Sequence, residues 1–385
     1  MPQREELKFV KKFLFYFFPL LIFIAVPFFF LVIAGELVPI KMIIHEQKDQ
    51  TKLILFGLAY LNPDKYYKMH SVLERNPTVI ALGNSRVMQF RSKFFRKGVR
   101  FFNAGGAVES MTNFKHFLNM IPKGQEPKLI ILGLDQRFFN SRYEADYTGY
   151  DIDSQLSNLP NYFETVRSGY LLYSDYFRKK FKLEDLFNHQ RNNQFGFNAI
   201  VKHKGFRNDG SYYEGDIIEN PNSPQTRHRF DDVLRRISGG TDLFEYSSEY
   251  SRDSVAELRE FLKECSLRNI HVVGFLPPFP HLVYEKMRRM GDKYAYMFQL
   301  DSVLPGVFRE FDFNFLDFSD IASFGASDEE TLDGFHGSEK AYLRLFIVMA
   351  QQDKNLGSYA DDAGYLRMKL RDSKSSFNVF ANNEF

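Results

Sequence analysis

One stretch constrains this chain more than any other: residues 13–34, FLFYFFPLLIFIAVPFFFLVIA, run 22 residues without a charge. As a helix rising about 1.5 Å per residue, the run crosses the roughly 30 Å hydrocarbon layer of a bilayer. It is longer than the apolar core of a secretory leader, and no small-x-small cleavage pattern follows it, so it reads as a retained transmembrane anchor. Pro19 and Pro27 lie inside it, which lipid tolerates only with local readjustment or a packing neighbour, and this hints at a membrane partner. Arg4, Lys8, Lys11 and Lys12 precede the run, whereas Gly35 and Glu36 follow it and the next cation is Lys41. That asymmetry places the N-terminus in the cytoplasm and the rest of the chain outside. A second apolar stretch, 53–61 (LILFGLAYL), is too short to cross and reads as an amphipathic or docking segment.

The remainder has the composition of a folded domain. Fifty Lys plus Arg against 48 Asp plus Glu give a net charge of +2, too balanced for the broad positive field of a nucleic-acid partner. Cys265 is the only cysteine, so no internal disulfide forms, and no Cys/His cluster has zinc-ligand spacing; no metal or other cofactor is called for. An external domain without disulfides suits a bacterial envelope. The chain divides into a cytoplasmic tail (1–12), the anchor (13–34), a connecting region (35–76), a main domain (77–352) interrupted by an insertion at 140–250, and a C-terminal tail (353–385).

Within the main domain, apolar runs at 78–82, 99–103, 128–134, 270–276 and 314–318 alternate with helical patterns at 110–121, 252–268 and 338–351. This is the rhythm of an α/β domain with a mostly parallel sheet, and the first, third and fourth runs are apolar enough to be covered on both faces. The insertion, rich in Tyr, Asn, Asp, Arg and Gly, reads as a lid or a polymer-binding surface, with Tyr147, Tyr150, Tyr212 and Tyr213 as candidate sugar-stacking rings. The tail reads as polar and peripheral, with 365–370 as one short helix.

Gly83-Asn84-Ser85-Arg86 follows the first strand directly. Ser85 therefore sits at the carboxyl end of a strand, where open α/β sheets place their ligand crevice, and a helix starting there offers N–H groups to developing negative charge. A Ser after Gly-Asn is equally an ordinary helix cap. Downstream, Asp333-Gly334-Phe335-His336 precedes the last helix, and His336 alone among nine histidines has an Asp three residues before it. A serine hydroxyl is inert until a base takes its proton, and a carboxylate on the far ring nitrogen fixes the tautomer that base needs. Asn103-Ala104-Gly105-Gly106 ends the second strand with small residues whose N–H groups suit an oxyanion hole, or form a turn that needs positive φ. Leu134-Asp135-Gln136-Arg137 ends the third strand on the same rim.

In this order the blocks resemble the SGNH (GDSL-like) hydrolase superfamily over residues 78–350, and more closely its membrane-anchored members that accompany bacterial cell-surface polysaccharide O-acylation. The insertion's Asn208-Asp209-Gly210-Ser211-Tyr212-Tyr213 belongs to that resemblance. It implies a three-layer SGNH/flavodoxin-like α/β fold, with Ser85 as nucleophile, His336 as base oriented by Asp333, and Ser85, Gly105 and Gly106 as oxyanion donors. It further implies a single-pass protein of the bacterial inner membrane with an extracytoplasmic domain. Its activity is expected to be acyl, chiefly acetyl, esterase or acyltransferase chemistry on a cell-envelope polysaccharide, with a polytopic membrane acyltransferase as partner. The other expectation is an SGNH-fold scaffold or polysaccharide-binding subunit without catalysis.

One position departs from the family pattern: Leu134-Asp135 stands where an oxyanion-donating Asn is expected, and an ionised Asp only accepts hydrogen bonds. Asp135 is then protonated, turned away toward Arg86 or Arg137, or a mark of weakened catalysis. Arg86 and Arg137, with Asp135, are the substrate-binding candidates: the arginines either hold an acidic group of an anionic glycan or brace the rim through Asp135.

Overall fold

A computed structural model describes residues 2–49, 51–142, 162–187 and 193–380. Nine strands are assigned among them: β1 (Leu55–Phe56), β2 (Val79–Gly83), β3 (Phe101–Gly105), β4 (Leu129–Gly133), β5 (Gln194–Phe195), β6 (Lys204–Phe206), β7 (Tyr212–Glu214), β8 (His271–Leu276) and β9 (Asn314–Asp317). The fold is mixed α/β, preceded by one long apolar helix, Pro2–Ile33. Its segment Lys8–Ile33 is long and apolar enough to cross a membrane.

The main sheet has the order β3-β2-β4-β8-β9 and is parallel at every pairing. Every residue of β2, β3 and β4 is buried, as their unbroken apolar runs require of strands covered on both sides. The two-residue period sorts them. Ile80, Leu82, Ile130 and Leu132 pack with Phe114 and Leu118 of helix Met111–Met120 and with Leu258, Phe261 and Leu262 of helix Arg252–Leu267. Val79, Ala81, Leu129 and Ile131 face the other way, onto Tyr342, Leu345, Phe346 and Met349 of helix Glu339–Gln352. Cys265 and Met287 are fully buried in packing roles.

The connecting region and the insertion are not separate annexes. They share a second sheet of order β5-β1-β6-β7, in which β1 lies parallel to β5 and antiparallel to β6. The 53–61 stretch is therefore an inner strand with Ile54, Leu55 and Phe56 buried, rather than a docking segment. The 353–385 tail is likewise less peripheral than its polarity suggests. It adds helices Lys354–Tyr359 and Ala363–Asp372 and buries Leu356, Ala360, Leu366, Phe377 and Phe380.

A buried ionic cluster ties these parts together. Asp209 Oδ2 accepts from the Ser92 N–H at 2.9 Å and pairs with Arg91 at 3.4 Å, while Asp209 O accepts from the Asn103 N–H at 2.8 Å. Arg91 also pairs with Glu339, the first residue of helix Glu339–Gln352, and Arg207 lies 3.8 Å from the same carboxylate. The segment after Ser85, the insertion and the helix after His336 are thus held by one network of two buried cations and two buried carboxylates, in which removal of any one member unbalances the buried charge.

Candidate active site

Ser85 begins a short 3₁₀ turn, Ser85–Val87, where a longer helix was expected. Asn84 caps the turn, its Oδ1 accepting from the Arg86 N–H at 3.0 Å. Gly83 is obligatory before it: a Cβ there would stand 2.4 Å from Val87 Cγ2 and 2.8 Å from Gly133 O. From the other end of the chain, the loop before helix Glu339–Gln352 is pinched by a bridge between Thr331 and Gly337. Asp333 Oδ1 accepts from the N–H groups of Phe335 (2.7 Å) and His336 (2.6 Å), the local turn an Asx residue favours.

These two loops bring the three sequence-predicted residues together. Ser85 Oγ lies 3.0 Å from His336 Nε2, and His336 Nδ1 lies 2.9 Å from Asp333 Oδ2. Burial disfavours a charged imidazole at 336, but the Asp333 carboxylate, its hydrogen bond and the nearby Glu214 carboxylate outweigh it, and the His336 pKa stands above the usual imidazole value. Burial likewise opposes ionisation of Asp333, yet His336 and the two loop N–H groups hold its carboxyl well below the usual carboxylate range. The relay stays open to solvent: the side chain of His336 is 30% exposed and that of Asp333 46%. The arrangement is one in which a neutral His336 can take the proton of Ser85 and return it to a leaving group.

The second group of predicted residues behaves differently. Asp135 is neither protonated nor aimed at Ser85. Burial penalises its charge, but Arg86, Arg137 and an Asn84 hydrogen bond together depress its pKa. Its Oδ2 accepts from Asn84 Nδ2 at 2.6 Å and pairs with Arg86 at 3.5 Å, and its Oδ1 accepts from the Arg137 N–H at 3.0 Å. Arg86 is 2% exposed, donates to Gln136 Oε1 (2.7 Å) and Pro277 O (2.8 Å), and stacks on Phe279 with 3.9 Å between the guanidinium carbon and the ring centroid. Arg86 and Asp135 are therefore braces beneath the nucleophile turn and not substrate ligands.

The oxyanion prediction is corrected at two of three positions. The Gly105 N–H donates to Asn103 Oδ1 at 2.8 Å, and the Gly106 N–H donates to Gly83 O at 2.9 Å. The glycines are there for backbone reasons, Gly106 at φ +88° with Met88 Cε against its missing Cβ. Among the described residues the Ser85 N–H has no internal acceptor, which leaves it for developing negative charge.

Ser85 and Arg137 line two cavities at once. One, of about 550 Å³, also meets Tyr60, Asn62, Asn84, Glu164 and Arg167. The other, of about 390 Å³, meets Thr226, His228, Arg229, Arg236 and the Asp333–His336 loop. The sequence reading missed these lining residues, and it missed Glu214, which pairs with Lys204 at 2.5 Å and acts electrostatically on His336. Apart from Asn84, which belongs to the Gly83-Asn84-Ser85-Arg86 block, and the Asp333–His336 loop, they stand on the insertion or, for Tyr60 and Asn62, in the connecting region, where no short spacing marks them. Tyr212 and Tyr213 pack against Phe206 and Arg207 and are not a stacking platform, while Tyr147 and Tyr150 lie outside the described residues. His281 is paired with Asp320 at 3.0 Å and faces solvent. Among the described residues no group of three or more His, Cys, Asp or Glu is placed to hold a metal ion. No family model matches the chain, and no curated protein matches it significantly.

Proposed function

We propose that this chain is a membrane-anchored serine acyl esterase or O-acyltransferase of the SGNH hydrolase kind, in a three-layer arrangement, acting on acyl groups of a cell-envelope polysaccharide. The observation that carries the reading is the Ser85–His336–Asp333 relay at 3.0 and 2.9 Å, assembled at the carboxyl ends of parallel strands. His336 takes the Ser85 proton as Oγ attacks an ester carbonyl. The tetrahedral intermediate, held by the Ser85 N–H, collapses as His336 protonates the departing alkoxide. An acceptor hydroxyl or water then gives its proton to His336, attacks the acyl-serine, and Ser85 recovers its hydrogen.

Two cavities meeting at one nucleophile favour transfer, because donor and acceptor have separate approaches. The basic N-terminus and the apolar helix support a single-pass protein of the bacterial inner membrane with its domain outside, and acyl transfer onto a surface glycan fits a polytopic membrane acyltransferase as donor-side partner. A second reading, a non-catalytic polysaccharide-binding scaffold, is favoured by the internal hydrogen bonds of Gly105 and Gly106. A fluorophosphonate probe on the full chain decides between them. Labelling that disappears in Ser85→Ala and His336→Ala supports the enzyme; a folded chain that stays unlabelled sinks it.

A further inference from the structure

The apolar helix is longer than a bilayer needs. Lys8–Ile33 has 26 residues, about 39 Å at 1.5 Å each, against a hydrocarbon layer of roughly 30 Å. Its surface changes character at Pro27. Phe15, Phe18, Leu21 and Phe23 are exposed, whereas Pro27, Leu31 and Ala34 form a buried stripe. With Lys8, Lys11 and Lys12 extending their ammonium groups back to the cytoplasmic headgroups, the residues from Lys8 to Pro27 suffice to cross, so the turns beyond Pro27 lie at the outer membrane interface.

Helix Tyr162–Phe177 crosses the anchor at this level. Pro27 has no N–H, which deprives the Phe23 carbonyl of its intrahelical donor. The Tyr173 hydroxyl donates to that carbonyl, its ring stacks on Phe23 with centroids 4.7 Å apart, and Gly169 lies against the Pro27 ring. An unpaired carbonyl at membrane depth costs several kcal/mol, so this contact supplies from within the chain the neighbour that Pro27 requires. Flanking this contact, the same helix carries an exposed apolar stripe: Val166, Tyr170 and Phe177 are 44%, 72% and 71% exposed, share one face by their spacing, and Phe177 stacks on Tyr173 with centroids 6.2 Å apart. In water such a stripe is a liability; beside a lipid-facing anchor it continues the same surface.

We infer that helix Tyr162–Phe177 is a membrane-contacting element, its aromatic stripe lying in the lipid interface beside the anchor. Bilayer lipid is the occupant because the stripe adjoins a helix that only lipid covers. Glu164 and Arg167 of the same helix line the 550 Å³ cavity at Ser85, so that cavity adjoins the bilayer surface.

The chain contains no Trp, so a single introduced indole reports without background. Full-length Tyr170→Trp, Phe177→Trp, Phe15→Trp and Leu267→Trp variants are reconstituted in phosphatidylcholine/phosphatidylglycerol vesicles with brominated acyl chains. Leu267 is exposed at the amino-terminal end of β8 and serves as the aqueous reference. At least two-fold quenching at positions 170 and 177, approaching that at 15 and absent at 267, is expected. Quenching at 15 alone overturns the interfacial helix, a protein-covered stripe included; absence of quenching at 15 as well overturns the anchor itself.

Discussion

Two polar networks meet at the carboxyl ends of the parallel strands, and each is built on an aspartate held ionised by a basic partner. Asp333 faces His336, half open to solvent; Asp135 faces Arg86, with both side chains 1% exposed. The difference lies in the partner. An imidazole gains and loses its proton near neutral pH, so the Asp333 pair is able to move protons; a guanidinium does not, so the Asp135 pair only holds geometry. The same residue type at one rim thus becomes machinery or brace according to what it faces and whether water reaches it.

The largest effect expected from breaking the contrast is kinetic. Ser85→Ala should lower acyl turnover by about 10⁶-fold, as for other serine relays, while the thermal midpoint stays in place. Asp333→Asn should lower it about 10⁴-fold through the wrong tautomer. On the proposed function His336 must be neutral to act, and Asp333 raises its pKa against burial, so acyl turnover by the native chain should rise with pH through a midpoint above the usual imidazole value. The residual activity of the Asn variant should rise at lower pH; a pH–rate profile with an unmoved limb would contradict the pairing. Asp135→Ala should do the converse. It strands the buried Arg86 charge, so a loss of about 3–5 kcal/mol is expected, read as a fall in Tm of roughly 10 °C.

A third carboxylate sharpens the comparison, because among the described residues it has no basic partner. Glu36, 1% exposed where the anchor joins the domain, accepts from the N–H groups of Ala59 and Phe197 at 2.8 Å each. Burial outweighs these bonds and pushes its pKa up from 4.5 to about 7. With the folded value above the unfolded one, its contribution is fully present below pH 4.5 and is lost as pH rises through about 7. Glu36→Gln should therefore be more stable than the native chain at pH 8, by about 3 kcal/mol at most, with the advantage vanishing at pH 4. Urea titrations at the two pH values measure it, and a pH-independent difference would show that folding leaves the Glu36 pKa unshifted.

The five main strands were legible because a strand covered on both faces must be apolar at successive positions: the runs at 78–82, 128–134 and 270–276 match β2, β4 and β8 within two residues. The relay residues were legible too, since Asp333 and His336 share one loop and Ser85 ends a strand. What the sequence could not say is where an N–H points. Gly105 and Gly106 stand beside the nucleophile turn as expected, but their donors go to Asn103 and Gly83, a matter of peptide orientation that composition does not encode.

By itself, the sequence determined the long apolar helix, the parallel sheet and the three residues of the relay, because each is written in local periodicity or in a short spacing. Tertiary structure alone decided that residues 53–61 join the insertion in a second sheet, that Asp135 and Arg86 lock each other under the site, and that Tyr173 completes a proline gap in the anchor. Those pairings link positions 49 to 150 residues apart in the chain. Their energy comes from excluding water around both partners, a property that neither segment has until the other arrives.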